Sequence, residues 1–192
     1  MAASQEWLGD LFSRKSHTWD QISFLKKHWD GPIVLKGIQH VADARLAVEA
    51  GVQGIIVSNH GGKWAFENSK VLIIITDGSI GRQLDGAIGS LEALPEVVAA
   101  VGNELTVLFD SGIRTGADVM KALALGAKAV LVGRPAIYGL AIGGKQGAKA
   151  VLQGLLADLD QSMALAGVAK VQQCNKSIMR RVQYGGDLKA SL

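Results

Sequence analysis

Four short apolar runs in this 192-residue chain each end in residues able to bind or move charge. Lys36 follows Ile33-Val34-Leu35, and Ser58-Asn59-His60 follows Gly54 to Val57. Asp110 to Arg114 (through Ser111, Gly112 and Ile113) follows Thr106 to Phe109, and Gly133-Arg134 follows Ala129 to Val132. His60 sits on a turn completed by Gly61 and Gly62; an imidazole that is unprotonated near neutral pH suits a general base. Gly112 to Gly116 opens a helix. Glycines there and at Gly133 let backbone N–H groups approach an anion, the helix start adds a favourable dipole, and Arg114 and Arg134 supply guanidinium forks. Either motif alone reads as a helix-cap glycine beside a surface arginine, but the pair points to phosphate. Lys36, taken alone, reads as a snorkelling lysine; beside a phosphate-bearing cofactor it would place a fixed positive charge against an electron-rich ring. His17, His28 and His40 lie on polar helix flanks and read as structural.

Residues in such places must be carried by strands. Thr18 to Gln21 has a capping-box pattern ahead of Ile22, Leu25 and Trp29, and Asp30-Gly31-Pro32 ends that helix. Val41 to Ala50 has helical spacing and closes on Gly51. Leu91 to Val101, Ala117 to Leu125 and Gly147 to Ala166 read as further helices, with a polar, basic tail from 170 onward. Asp43 to Val57 and Asp118 to Val132 repeat one frame: Asp, an apolar-faced helix, Gly eight residues on, then a β-branched strand. Helix and strand alternating over short connections imply parallel strands covered by helices, and continuous apolar runs suggest burial on both faces. In such folds ligand chemistry gathers at the carboxyl ends of the strands. The repeat by itself leaves both a barrel and an open sheet possible.

Composition narrows the class. The chain has 48% hydrophobic residues, 24 glycines and a net charge of +3. That content excludes a disordered chain, and so small a charge with 5% aromatics gives no footprint for nucleic acid. One cysteine, Cys174, excludes a disulfide scaffold and a cysteine-based zinc site, and no metal is expected. No apolar run reaches the roughly 20 residues of a membrane helix, and residues 1–14 lack the basic-then-apolar order of a secretory signal. The ending Ala190-Ser191-Leu192 is a loose likeness of the peroxisomal Ser-Lys-Leu address, so a cytoplasmic or peroxisomal location is expected.

Leu35-Lys36-Gly37-Ile38, Ser58 to Gly62, Arg82-Gln83-Leu84-Asp85, Asp110 to Arg114 and Gly133-Arg134-Pro135 occur in an order that resembles the C-terminal half of the FMN-dependent 2-hydroxy acid oxidase and dehydrogenase family. Within it the likeness is to lactate 2-monooxygenase-like proteins, and it runs from about 16 to 167. The resemblance implies an α/β fold, half of a (β/α)8 TIM barrel, with FMN at its carboxyl mouth. It implies that Lys36 faces the N1–O2 edge of the flavin, Ser58 bonds the flavin or its ribityl chain, and His60 takes the substrate proton. Arg82 would hold the substrate carboxylate. Asp110, Ser111, Gly112, Ile113 and Arg114, with Gly133 and Arg134, would bind ribityl and phosphate. The implied partners are a small lactate-like 2-hydroxy acid and oxygen, with the 2-keto acid, or its oxidative decarboxylation product, released and a homo-oligomer possible. The alternative is a non-catalytic phosphate- or FMN-binding half-barrel; other phosphate-binding barrels rank behind both.

The chain departs from the family pattern in two ways. Four strands are legible where the barrel needs eight. His60 and Arg82, three apart in the family pattern, are 22 apart here, a 19-residue excess assigned to 62–80. Because its removal restores His-Gly-Gly-Arg-Gln, and because Gly62-Lys63-Trp64 can be encoded with a GTAAGT donor, this segment reads as a retained intron translated in frame. A functional loop insertion is the other reading.

Overall fold

The computed structural model of the chain describes residues 18–60 and 88–180. Arg82 and the 62–80 segment lie outside them, as does His17. Helix α1 (Ile22–His28) leads to β1 (Val34–Ile38), α2 (Val41–Glu49) and β2 (Gly54–Val57). Then come α3 (Ser90–Val101), β3 (Thr106–Asp110), α4 (Gly116–Ala124), β4 (Val130–Leu131) and α5 (Arg134–Leu165). The strands form one sheet in the order β1-β2-β3-β4, and every pairing is parallel. A capping box at Thr18 opens a 3-10 turn that runs into α1. His40 caps α2 by accepting from Ala42 N–H at 3.1 Å, and His28 Nδ1 lies 2.8 Å from the Phe24 carbonyl, so both have the structural roles expected of them.

The core lies between the sheet and helices α2, α3 and α4. Register places Leu35, Ile55 and Val107 in one row and Val57 beside Phe109 in the next, and all five side chains are buried. They meet Ala44 and Ala47 of α2, Leu94, Val97 and Val101 of α3, and Val119 and Ala122 of α4. Each fully buried aliphatic side chain here contributes about 1.5–3 kcal/mol. Burial alternates along β1 and β3, correcting the expectation of strands buried on both faces. Val34 is 39% exposed, and Ile56 and Leu108 are half-buried on the face turned away from the helices. The side chains of a curved parallel wall alternate between its helix layer and its concave interior, and these belong to the interior.

At the last helix the structure departs from the sequence expectation. It starts at Arg134, directly at the tip of β4, and not near Gly147. Gly143 and Gly144 take non-helical backbone angles inside it, so two helical segments meet at a break. On either side of that break Gly139 and Gly147 approach so closely that a Cβ on either would meet the other's backbone carbonyl region. The tail also has structure: 3-10 turns at Val171–Gln173 and Lys176–Ile178 bring Cys174 and Ile178 against the core.

A candidate anion and proton-transfer site at the strand tips

The tips of all four strands converge on one hollow of about 510 Å³, within the range of small-molecule and cofactor pockets. Lys36 from β1, Asn59 and His60 after β2, Asp110 to Arg114 after β3, and Gly133 with Arg134 after β4 line it. Leu131, Val132 and Ile137 supply an apolar wall, and these three had no place in the site read from the sequence. Their signal was close by: Val132 adjoins Gly133, and Leu131 and Ile137 lie two and three residues from the Gly133-Arg134 tip. The Asn59 Oδ1 atom is buried without a hydrogen-bond partner, an acceptor of the kind a polar ligand completes.

Lys36 reaches the hollow because β1 bulges. Pairing with β2 shifts between Lys36 and Ile38, and Gly37 takes a φ of 97°, open to glycine at little cost. The ammonium then donates to Asp110 Oδ2 at 3.0 Å, to Ser58 Oγ at 3.2 Å and to the His60 carbonyl at 3.2 Å. These three acceptors use all three of its N–H groups.

Ser58 is fully buried, one residue past the Val57↔Phe109 pair, and does not line the hollow. Its hydroxyl donates to Asp110 Oδ2 at 2.8 Å and accepts from Lys36 Nζ and from His60 N–H at 3.1 Å. With its one donor and both acceptor positions used within the chain, Ser58 organises the residues that face the hollow; the bond to a flavin or its ribityl chain that the resemblance implies would replace one of these. Ser58→Ala is expected to cost about 1–3 kcal/mol, because it strands a buried N–H and loosens the Lys36–Asp110 pair. Chemical denaturation of the two chains checks this.

The loop after β3 is strained in the way functional turns are. Ser111 has a φ of 95°, the one positive value at a non-glycine among the described residues, and Gly112 follows at 79°. Ser111 Oγ accepts from Asn59 N–H at 3.3 Å, tying the β2 and β3 tips together. A side chain at Gly112 or Gly133 would meet nothing within 4 Å, so both backbones stand open to a ligand.

The start of α4 is not open, which corrects the expectation that it helps cradle the anion. Asp118 Oδ2 accepts from Arg114 N–H at 3.1 Å and from Thr115 N–H at 3.0 Å, and Asp118 N–H returns to Thr115 Oγ1 at 3.2 Å. Gly116 N–H donates to Asp158 Oδ2 of α5 at 2.6 Å. Two carboxylates therefore already occupy the positive end of α4. The start of α5 has no side-chain cap at Gly133 and faces the hollow. An anion is thus served by the Gly112 turn, by the start of α5, and by the guanidiniums of Arg114 and Arg134. Arg114 is steadied by a 3.0 Å bond from Nη1 to the Ile113 carbonyl, leaving its other donors available.

For the Asp118 carboxyl, burial pushes the pKa upward, but hydrogen bonds from the Thr115 side chain and from the Arg114 and Thr115 N–H groups, with the Lys121 charge, outweigh it and hold the value down. A depressed native pKa means that the unfolded chain binds the proton more readily. Stability from this cap is therefore full above the ordinary aspartate range, near ~3.9, and is lost as pH falls through the depressed native value. Acid melts of wild type should show a downward step in that window that Asp118→Asn lacks.

The donor set fits a flavin mononucleotide: two arginines and two open glycine backbones for a phosphate, a lysine for an electron-rich ring, and a histidine for a proton. Among the described residues no group of three or more His, Cys, Asp or Glu side chains could hold a metal ion, and no helix is long and apolar enough to cross a membrane.

Comparison with known proteins agrees with this chemistry. The family model for FMN-dependent dehydrogenases matches residues 1–181. The chain is 59% identical, over its whole length and 43% of the relative's, to an FMN-dependent alpha-hydroxy acid dehydrogenase of Penicillium citrinum. It is 46% identical, over 84% of its length and 39% of the relative's, to an L-lactate oxidase of Nostoc. The solved structure of mandelate oxidase with benzoyl-formic acid superposes on it with a TM-score of 0.70 at 45% identity, covering 83% of this chain and 42% of that one. The chain thus spans about two fifths of the length of the proteins it matches.

Proposed function

The chain belongs to the FMN-dependent dehydrogenase family, and on that premise we propose that its pocket serves FMN-dependent oxidation of an L-2-hydroxy acid of lactate type to the 2-keto acid, with oxygen as electron acceptor. The observation that carries this reading is the meeting of Lys36, His60, Arg114 and Arg134 in one hollow at the tips of four parallel strands. The names of the relatives support the substrate class, since they include L-lactate oxidase and 2-hydroxyacid oxidase.

Each residue has a separate task. Arg114 and Arg134, with the backbones of Gly112 and Gly133, hold the phosphate. Lys36 places a positive charge beside the ring. His60 lines the same hollow, where its imidazole accepts the proton released from the substrate. Arg82, outside the described residues, would pair with the substrate carboxylate, the task that the resemblance implies for it. FMN, when bound, supplies the two-electron acceptor that no side chain here can provide. Anaerobic mixing of the flavin-loaded chain with L-lactate tests the proposal: bleaching of the yellow colour supports it, and an unchanged spectrum overturns it.

A second reading, a non-catalytic half-barrel that binds FMN or phosphate, is favoured by the sheet itself. The outer edges of β1 and β4 have no strand partner among the described residues, and Val34, Ile56 and Leu108 lie on the concave face that the helices leave uncovered. Open parallel edges and an apolar face promote association. The isolated chain is expected to sediment as an oligomer at micromolar concentration; a monomer throughout would contradict this.

A further inference from the structure

We propose that Asp110, acting through Lys36, holds down the reduction potential of the flavin; this rests on the reading above that the hollow takes FMN. Lys36 is the cation presented at the tip of β1, yet its charge is not free. Asp110 Oδ2 lies 3.0 Å from Nζ, and both side chains are mostly buried, at 25% and 17% exposure. The pair is locked from a third side by Ser58, whose hydroxyl accepts from Nζ and donates to the same Asp110 oxygen. At such a site the pair acts as a unit of no net charge, more weakly screened than a surface ion pair.

Two-electron reduction leaves additional negative charge on a flavin ring. A lone lysine beside that ring favours the reduced form, and a carboxylate bonded to the lysine cancels most of this bias. Asp110 is therefore a positioning and charge-balancing residue. Two effects combine in it: it fixes where the ammonium points, and it sets how much of its charge the ligand feels. Arg114 and Arg134 line the same hollow and are unchanged by the test below.

Four chains decide the matter: wild type, Asp110→Asn, Lys36→Met and the double variant, each loaded with FMN and poised against redox dyes. Asparagine keeps an oxygen for Ser58 and Lys36 and removes only the charge. Asp110→Asn is expected to favour the reduced form about tenfold, an upward shift of about 30 mV for a two-electron couple. Lys36→Met should move the potential downward by a similar factor, and the double variant should return close to wild type. A role confined to folding would not produce opposite signs that cancel. An unchanged or lowered potential in Asp110→Asn, or a double variant identical to Lys36→Met, overturns the proposal. Failure of the wild-type chain to take up FMN would instead overturn the flavin reading itself, and the proposal with it. Without flavin, thermal melts of the same chains should show non-additive losses; strictly additive losses would show that the two side chains are not coupled and would also overturn it.

Discussion

Gly116→Ala is expected to destabilise the chain by about 4 kcal/mol or more, or to prevent folding. A Cβ at Gly116 would overlap the backbone of Asp158 and Leu159, atoms that no change of rotamer can move. Overpacking of this kind costs about 1–3 kcal/mol and sometimes more. Separating α4 from α5 also breaks the Gly116 N–H bond to the Asp158 carboxylate, worth about 1.5–3 kcal/mol for a charged acceptor. For a chain of this length that sum lowers the melting temperature by roughly 8–16 °C. Gly154→Ala is the matched control. It is a helical glycine with open space around its Cβ position, and the substitution should stabilise by about 0.5–1 kcal/mol. If both substitutions shift the melt alike, the close contact between α4 and α5 is wrong.

The second large effect is on rate. His60→Gln should lower the rate of 2-hydroxy acid oxidation by about 10²–10⁴-fold, the range that a positioned general base supplies. Flavin affinity should stay within a factor of about two to three. The backbone N–H of residue 60 still donates to Ser58 and its carbonyl still accepts from Lys36, so the substitution leaves that framework in place. Rapid-reaction reduction of the flavin by L-lactate separates the two quantities. A rate that persists within tenfold of wild type would remove His60 from proton transfer.

Much of this site was legible because strand tips are easy to find in a parallel α/β chain. A buried strand is a short apolar run, and whatever polar residue ends it must stand at the rim. Lys36, His60, Asp110, Arg114, Gly133 and Arg134 were all located that way, and all except Ser58 of the described site residues line the hollow. What the sequence hid was how donors and acceptors are shared. The capping-box spacing of Thr115 and Asp118 is local, but nothing in the sequence shows that Asp158 also turns onto the start of α4. That choice depends on how α5 packs across α4, which is a tertiary fact. Likewise, continuous apolar strands read as buried twice over. Ile56 and Leu108 are half-buried because they line the inner wall of a barrel sector, whose filling comes from other strands. The early start of α5 was missed because Gly143 and Gly144 look like a helix boundary, whereas the backbone breaks there and continues as helix.

The most direct test of the account is titration of FMN into the purified chain, followed by flavin fluorescence. Saturable binding at one flavin per chain is expected, weakened about tenfold or more by Arg114→Ala and by Arg134→Ala, since each removes a charged hydrogen bond worth about 1.5–3 kcal/mol. No saturation, or an affinity indifferent to both arginines, would contradict a phosphate site at the tips of β3 and β4.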